Sequence, residues 1–401
     1  MRITKSEEVD GLFAIQVIIM STEVCVSAEE LKQTLEYVSL IGATGGGKGK
    51  KKDDDTQQVS GVLRITAASP HKDKSYILCF ECLGASEQLL YRMEGKSYNS
   101  AETVSTQVEG WRLAALAKTF DGDVTLRFDE RCLGIVCGTS AYKITVVKTE
   151  LPEMRLPDKR NAITLSVNFL QEAVRHCTPA VVKDDARAWL KCIQLQLRAD
   201  GSAYCYATDT HRLARYAATN TGSKADAVLL MTPAALQHII EMCDQNEITL
   251  IPTERYIYAS TPRYDWLCYK ITGRFPNCEE VFKKHKPLMS ITVNRRKMLG
   301  AISRASIVSD NNSDNRINLA SDTQALYIES ASVAGSGLDS VPVETFSGSD
   351  DEAYAVSAFS LNKLLSAYAS ENVSITTHGK LLPLLICVPG SENGYLLAGM
   401  R

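Results

Sequence analysis

Apolar and small residues in this chain fall into helical stripes that are written three times. The first stripe, at i, i+3, i+4 and i+7, reads Leu31, Thr34, Leu35, Val38, and its counterparts are Leu170, Ala173, Val174, Cys177 and Met298, Ala301, Ile302, Ala305. That spacing places four side chains on one side of an α-helix, the pattern of a helix buried along a single face. A second stripe follows each time: Leu113, Leu116, Ala117, Phe120; then Leu236, Ile239, Ile240, Cys243; then Leu361, Leu364, Leu365, Tyr368. Shortly after it comes a run of period two, which predicts a strand: Val124-Thr125-Leu126, Ile248-Thr249-Leu250 and Val373-Ser374-Ile375. These strands begin 124 and then 125 positions apart. Features of different kinds recurring at one interval mark an internal repeat.

Between the paired helices lie alternating β-branched and aromatic runs such as Val62 to Ala67, Ile193 to Leu197 and Ala325 to Glu329, bounded by Gly, Asp and Ser. Each repeat is therefore expected to be two helices packed on antiparallel sheet, an α+β domain. Ser27 and Ser166 stand where N-caps of the first helices would accept amide bonds, and Thr232 with Pro233 makes a cap followed by a proline at the first helical position. The expected organisation is an extension at 1–22, a first domain at 23–157 with a Gly/Lys/Asp-rich insertion at 42–57, a second at 158–286 and a third at 287–401.

A composition of 45% hydrophobic and 23% charged residues over 401 positions suits a soluble protein with real cores. No apolar run reaches the roughly 18 residues of a membrane helix. Glu7, Glu8 and Asp10 occupy the place of a secretory signal's basic region. The twelve cysteines are scattered singly, as at Cys25, Cys177, Cys243 and Cys387, which points to free thiols in a reducing cytoplasm. Cys79 and Cys82 form a lone CxxC whose side chains would leave a strand on opposite faces, so no metal site and no cofactor are expected. A formal net charge of -3 excludes a protein that coats nucleic acid over its whole surface, yet leaves room for a basic patch.

Two motifs suggest catalysis and then fall short. Gly42 to Lys48 has P-loop spacing, but Gly49 stands where a magnesium-binding hydroxyl is needed and the segment runs on into Lys50 to Asp55. His211 lies beside Asp209 with no nucleophile at hand, so a histidine packed in a loop is the better reading and no catalytic residue is expected.

Three segments carry a resemblance: Ala207-Thr-Asp-Thr-His-Arg-Leu-Ala214, Gly273-Arg-Phe-Pro-Asn277 and Tyr395-Leu-Leu-Ala-Gly-Met-Arg401. They resemble signature stretches of the bacterial β sliding clamps, the processivity subunit of DNA polymerase III, which read close to ATDGHRLA, GRFPDY and MPMRL. The triple repeat is also that family's architecture. Leu151 to Leu156 follows its domain-closing pattern only loosely. The resemblance implies a homodimer of head-to-tail subunits closing a six-domain ring around double-stranded DNA. It implies a sequence-independent grip, and recruitment of DNA polymerase, clamp loader and other clamp-binding proteins, with no membrane.

Carried over residue by residue, the peptide cleft is expected to comprise Leu190, Thr208, Thr210, His211, Arg212, Leu213, Pro276 and Val281. Leu396, Leu397, Ala398, Gly399, Met400 and Arg401 would close it. Contacts to DNA are expected from Arg112, Arg175, Lys183, Arg187, Trp189, Arg295, Arg296, Lys297 and Arg304, with His176 and Lys118 on the same helix faces. Lys48 and Lys50, Lys51 and Lys52 of the insertion either add to that charge or form a solvated loop. Trp189 has a rival reading as a core residue. Ile307 and Val308 match interface positions and are expected to be buried between subunits. Three departures bear on the cleft: Thr210 replaces a glycine, so positive φ there is costly; Ala398 and Gly399 replace larger or stiffer residues; and the last leucine is missing. Residues before Met20 precede the family's usual start. The competing readings are an NTPase built on Gly42 to Lys48 and a monomeric DNA-binding module.

Overall fold

The computed structural model describes residues 22–41, 61–68, 76–98, 102–182, 184–309, 315–333, 335–349, 352–379 and 382–400. Lys48, Lys50, Lys51 and Lys52, the Gly42–Lys48 motif, residues 1–21 of the extension expected at 1–22, Lys183 and Arg401 lie outside the described residues. Among the described residues there are seven α-helices: α1 (Ala28–Ile41), α2 (Gly110–Ala117), α3 (Val167–Cys177), α4 (Pro233–Met242), α5 (Cys278–Lys283), α6 (Arg295–Val308) and α7 (Ala358–Ser366). The chain divides into two compact units, one running to Ala85 and resuming at Leu89–Glu153, the other made of Ser86–Gln88 with Met154–Arg401.

The repeat is visible in how each helix pair is closed. The strand entering α1 pairs antiparallel with the strand leaving α2, Val26 opposite Val124. Leu165 opposite Ile248 does the same for α3 and α4, and Val293 opposite Val373 for α6 and α7. The first helix of each pair also hands its first amide to the turn after the second helix: Ala28 N to Gly122 O, Val167 N to Asn246 O and Arg295 N to Glu371 O, all at 2.8 Å. A neighbouring carbonyl thus satisfies an orphan donor of the helix end. Ser166 sits at the N-cap of α3 but makes no side-chain cap bond, so the expected capping role passes to Asn246. At the second helices, Gly110 N donates to Gly61 O and Ala358 N to Asn315 O, whereas α4 opens with Pro233, which has no amide to satisfy. Thr232 caps α4 through Ala235 N, as its sequence predicts.

Within the first unit, Leu31, Leu35, Val38 and Leu113 are buried among strand residues such as Ile65 and Phe80. A five-stranded sheet runs in the order Ser97–Tyr98, Thr22–Ser27, Asp123–Phe128, Cys132–Cys137, Ser140–Thr145. The second unit holds a twelve-stranded antiparallel sheet. Its C-terminal strand Gly394–Leu397 lies between Arg212–Ala218, with Leu213 opposite Leu396, and Leu384–Cys387. Most of the stripe residues are buried, but Leu116 and Phe120, Ile240 and Cys243, and Val174 are only half-buried, and in α3 Phe169 and His176 join Leu170, Ala173 and Cys177 in the core.

Candidate functional site: a cleft beside the C-terminal strand

The strands Ala203–Thr208 and Arg212–Ala218 form a hairpin whose turn is Asp209-Thr210-His211. The Asp209 carboxylate organises this turn: one oxygen accepts the backbone amides of His211 at 3.0 Å and Arg212 at 2.7 Å, the other accepts Arg212 Nε at 2.7 Å and Arg212 Nη2. Asp209 is therefore bound to Arg212 rather than to the His211 ring. Thr208 Oγ1 donates to Arg212 O at 2.7 Å and accepts Thr210 N at 3.0 Å. Against this frame Thr210 is held at φ +78. The expectation that a threonine resists positive φ here meets a backbone that adopts it, held within the hydrogen bonds of Thr208 and Asp209 to the turn. For a β-branched residue this conformation is strained, by about 1–2 kcal/mol.

The C-terminal segment is laid across the turn. Ala398 N donates to His211 O at 2.8 Å and Met400 N to Ala355 O at 2.7 Å. Below it opens a cavity of about 460 Å³, walled by Leu190, Leu213, Pro276, Val281 and Leu396 and rimmed by Thr208, Thr210, His211, Arg212, Ala398 and Gly399. Eleven residues expected in the cleft from sequence are thus brought together. Leu397 and Met400 line a neighbouring cavity of about 560 Å³ that shares His211, Arg212, Ala398 and Gly399 with the first.

Sequence reasoning missed three members of the cleft wall: Trp189, Cys278 and Pro383. Trp189, expected on a DNA-facing loop, stands edge-on to Phe275 with ring centres 6.1 Å apart and has Arg187 over its ring at 5.6 Å. Gly273 presses so close that a Cβ there would lie 2.3 Å from Trp189 Cδ1, which is why the second signature segment begins with glycine. Burial pushes the Cys278 thiol up to about 12, making it a packing group rather than a nucleophile. Apolar walls with a few polar groups suit the anchoring of side chains.

Residues 164–277 match the family model described as DNA polymerase III beta subunit, central domain. The chain is 25% identical over 244 residues to the beta sliding clamp of Synechococcus elongatus, covering 56% of this chain and 62% of that protein. It is 21% identical over 249 residues to the beta sliding clamp of Bacillus subtilis, covering 61% and 65%. These alignments span less than two thirds of either relative. The structural match is longer: the crystal structure of the DNA polymerase sliding clamp from Bacillus subtilis superposes with a TM-score of 0.82 over 95% of this chain and 99% of that one, at 17% identity. The fold is that of the bacterial sliding clamps.

On this clamp fold the basic residues expected at DNA are mostly engaged within the chain. Arg112 pairs with Glu109 and lies over Trp111. Arg175 pairs with Glu172, whose carboxyl it pulls below its usual range, and donates to Ala367 O at the C-terminal end of α7. Arg187 pairs with Asp185, holding that carboxyl well below the ordinary range. Arg295 donates to Ser370 O at 2.6 Å, and Arg304 pairs with Asp339 at 2.6 Å. Arg296 and Lys297 are exposed at the start of α6.

His176 is a correction. It is buried, stacked on Tyr216 at 5.1 Å and flanked by Tyr368 and Tyr395. Its Nε2 accepts from Arg175 Nη2 at 3.1 Å, because a guanidinium can only donate. Burial, with the Arg175 charge beside it, lowers its pKa to about 4. It supplies no positive charge to the helix face at neutral pH. Ile307 is 81% exposed on α6, with Leu338 and Val333 also exposed on the hairpin beyond, while Val308 is half-buried.

Proposed function

We propose that this chain is one subunit of a DNA sliding clamp. Residues 23–157, 158–286 and 287–401 act as three clamp domains, and two subunits join head to tail into a ring around double-stranded DNA. The ring works in the cytoplasm as a tether and catalyses nothing, recruiting DNA polymerase, clamp loader and other replication and repair proteins by peptides that dock in the cleft. The reading rests on one observation: three segments far apart in sequence, 207–214, 273–277 and 395–400, converge on one apolar cleft in a fold that matches a sliding clamp over 95% of the chain. A ring that holds DNA topologically needs only a modest, sequence-blind positive surface. Arg296 and Lys297 are the contacts this reading favours most, followed by Arg112, Arg175, Arg187, Arg295 and Arg304, with Lys48, Lys50 to Lys52 and Lys183 as further candidates.

The test is mass and topology together. A dimer in solution should remain on a circular plasmid during gel filtration and run off when the plasmid is cut. A single-subunit mass at micromolar concentration, with equal loss from circular and linear DNA, would overturn the ring. The exposed Ile307 with Leu338 is the apolar surface such a subunit contact would cover, a head-to-tail contact that closes after two copies. Replacing Ile307→Asp and Val308→Asp should yield monomers at low micromolar concentration by sedimentation, and an intact dimer would move the interface elsewhere.

A further inference from the structure

Two histidines that no spacing in the sequence connects, His285 and His378, stand 93 positions apart and meet in the fold, with ring centres 5.8 Å apart and planes inclined at 51°. Backbone pairing brings them together. His285 lies between α5 and the strand Met289–Asn294, and His378 directly follows the strand Asn372–Thr377. Those strands pair with Met289 opposite Thr377, and Leu288 N extends the ladder by donating to Thr377 O at 2.9 Å. His378 is 9% exposed, and its Nδ1 lies 2.8 Å from Pro383 O. A carbonyl only accepts, so Nδ1 carries the proton and Nε2 keeps its lone pair. An imidazole oriented by a backbone carbonyl through one nitrogen and left basic at the other is the usual arrangement of a metal-binding histidine. His285 is half-buried. Burial, with His378 and Lys284 beside it, lowers its pKa, which favours the neutral ring that a metal requires.

We propose that His285 and His378 form a binding site for a zinc ion, held by one nitrogen of each ring. Two imidazoles that share a zinc ion about 2.1 Å from each nitrogen place their ring centres roughly 5–6 Å apart. The pair already stands at that separation. Among the described residues no group of three or more His, Cys, Asp or Glu is placed to hold a metal, so water fills the remaining positions of the tetrahedron. Lys284 and Lys286 flank His285 and oppose any cation held by charge alone. Magnesium and calcium, which take oxygen ligands, are disfavoured on both counts, whereas imidazole nitrogen suits zinc. The turn after His378 ends at Pro383, which walls the cleft. A bound ion therefore ties the segment ahead of the strand Met289–Asn294 to one edge of the cleft from outside it.

Zinc chloride titrated into the full chain, with its histidine rings labelled with nitrogen-15 and its thiols kept reduced, reads the site directly by NMR. Ring nitrogens of His285 and His378 should shift together while those of His176, His211 and His238 stay in place, which separates this site from zinc taken up by cysteines. His285→Gln and His378→Gln should each weaken zinc binding here at least about tenfold, since losing even a partner that only orients a ligand costs that much. Zinc should also raise the Tm of the unmodified protein and leave that of His285→Gln unchanged, because an ion that binds only the folded state stabilises it. His285 lies outside any helix or strand, so its variant keeps the fold even where His378→Gln does not. A shift at neither ring, or at one ring alone, overturns the shared site. So does a His285→Gln protein that binds zinc at His378 as tightly as the unmodified chain.

Discussion

The cleft and the basic helix faces are both marked by sequence pattern, and the fold treats them differently. In the cleft, positions are set by backbone: the Asp209 carboxylate holds two amides and the Arg212 guanidinium, and the tail is pinned through Ala398 and Met400 amides. Once the hairpin forms, Leu213 and Leu396 must face each other across paired strands. On the helix faces, position follows from periodicity, but the fate of each charge depends on a partner the periodicity does not name. Arg175 ends on Glu172 and the end of α7, Arg304 on Asp339. A motif whose residues hold one another is readable as geometry, whereas a charge is readable only as a sign.

His176 breaks the comparison most sharply, because its place beside Arg175 predicts a basic face and its ring lies in the core. Its ring stays neutral in the fold down to about pH 4, while in the unfolded chain it protonates near its ordinary 6.5. Below 6.5 the unfolded state therefore binds a proton that the folded state refuses. The contribution is whole above pH 6.5 and is lost progressively toward pH 4, by up to about 3 kcal/mol. Urea denaturation at pH 7.5 and 4.5 should register that loss in the unmodified protein and a smaller one in His176→Phe. The same pH dependence in both would place the acid sensitivity elsewhere.

Ending the chain after Gly399 removes Met400 and its bond to Ala355 along with Arg401, and should lower peptide affinity about tenfold while dimer mass is unchanged. Loss of the dimer as well would mean the tail supports the fold rather than the ligand. Thr210→Gly should act in the opposite direction on stability, raising it by about 1 kcal/mol in denaturant, because glycine adopts positive φ without the Cβ penalty. A drop would show that the threonine side chain earns its place by contacts that outweigh the strain. The smallest effect at any single salt concentration belongs to the unmasked charges. Arg296→Glu with Lys297→Glu should flatten the salt dependence of binding to primed circular DNA by about 2 in the log–log slope. An unchanged slope would take the start of α6 off the DNA path.

Much of the architecture was legible because it is repetitive: stripes and strands recurring at one interval pin down α1 with α2, α3 with α4 and α6 with α7. What stayed hidden depends on neighbours distant in sequence. His176 lies next to Arg175 in the chain, but Tyr216, Tyr368 and Tyr395 decide its environment. A local signal did exist, since Phe169, Ala173 and His176 continue one helical line. Trp189 follows Lys183 and Arg187 in the chain, which points to a DNA-facing loop, and the approach of Gly273 packs it into the cleft wall. Cys278 and Pro383 carry no motif and join the cleft through the fold alone. The helix caps at Ala28, Val167 and Arg295 come from carbonyls, which no side-chain pattern records.

Those carbonyl latches bear on how the chain tolerates change in length. Each helix pair is clasped at both ends by a strand pair and a first-amide bond, so everything between the clasps is a closed loop whose cost depends only logarithmically on its size. Val26 meets Val124 across 98 positions, and Leu165 meets Ile248 across 83. By the loop-closure relation, that difference costs about 0.1 kcal/mol, far less than one buried methyl group contributes. Material added inside a clasp is therefore nearly neutral for the equilibrium fold, and α1 can be followed by a long, charged insertion without loosening the pair that frames it. Growth of this chain within a repeat is constrained by what the added residues touch, and hardly at all by how many there are.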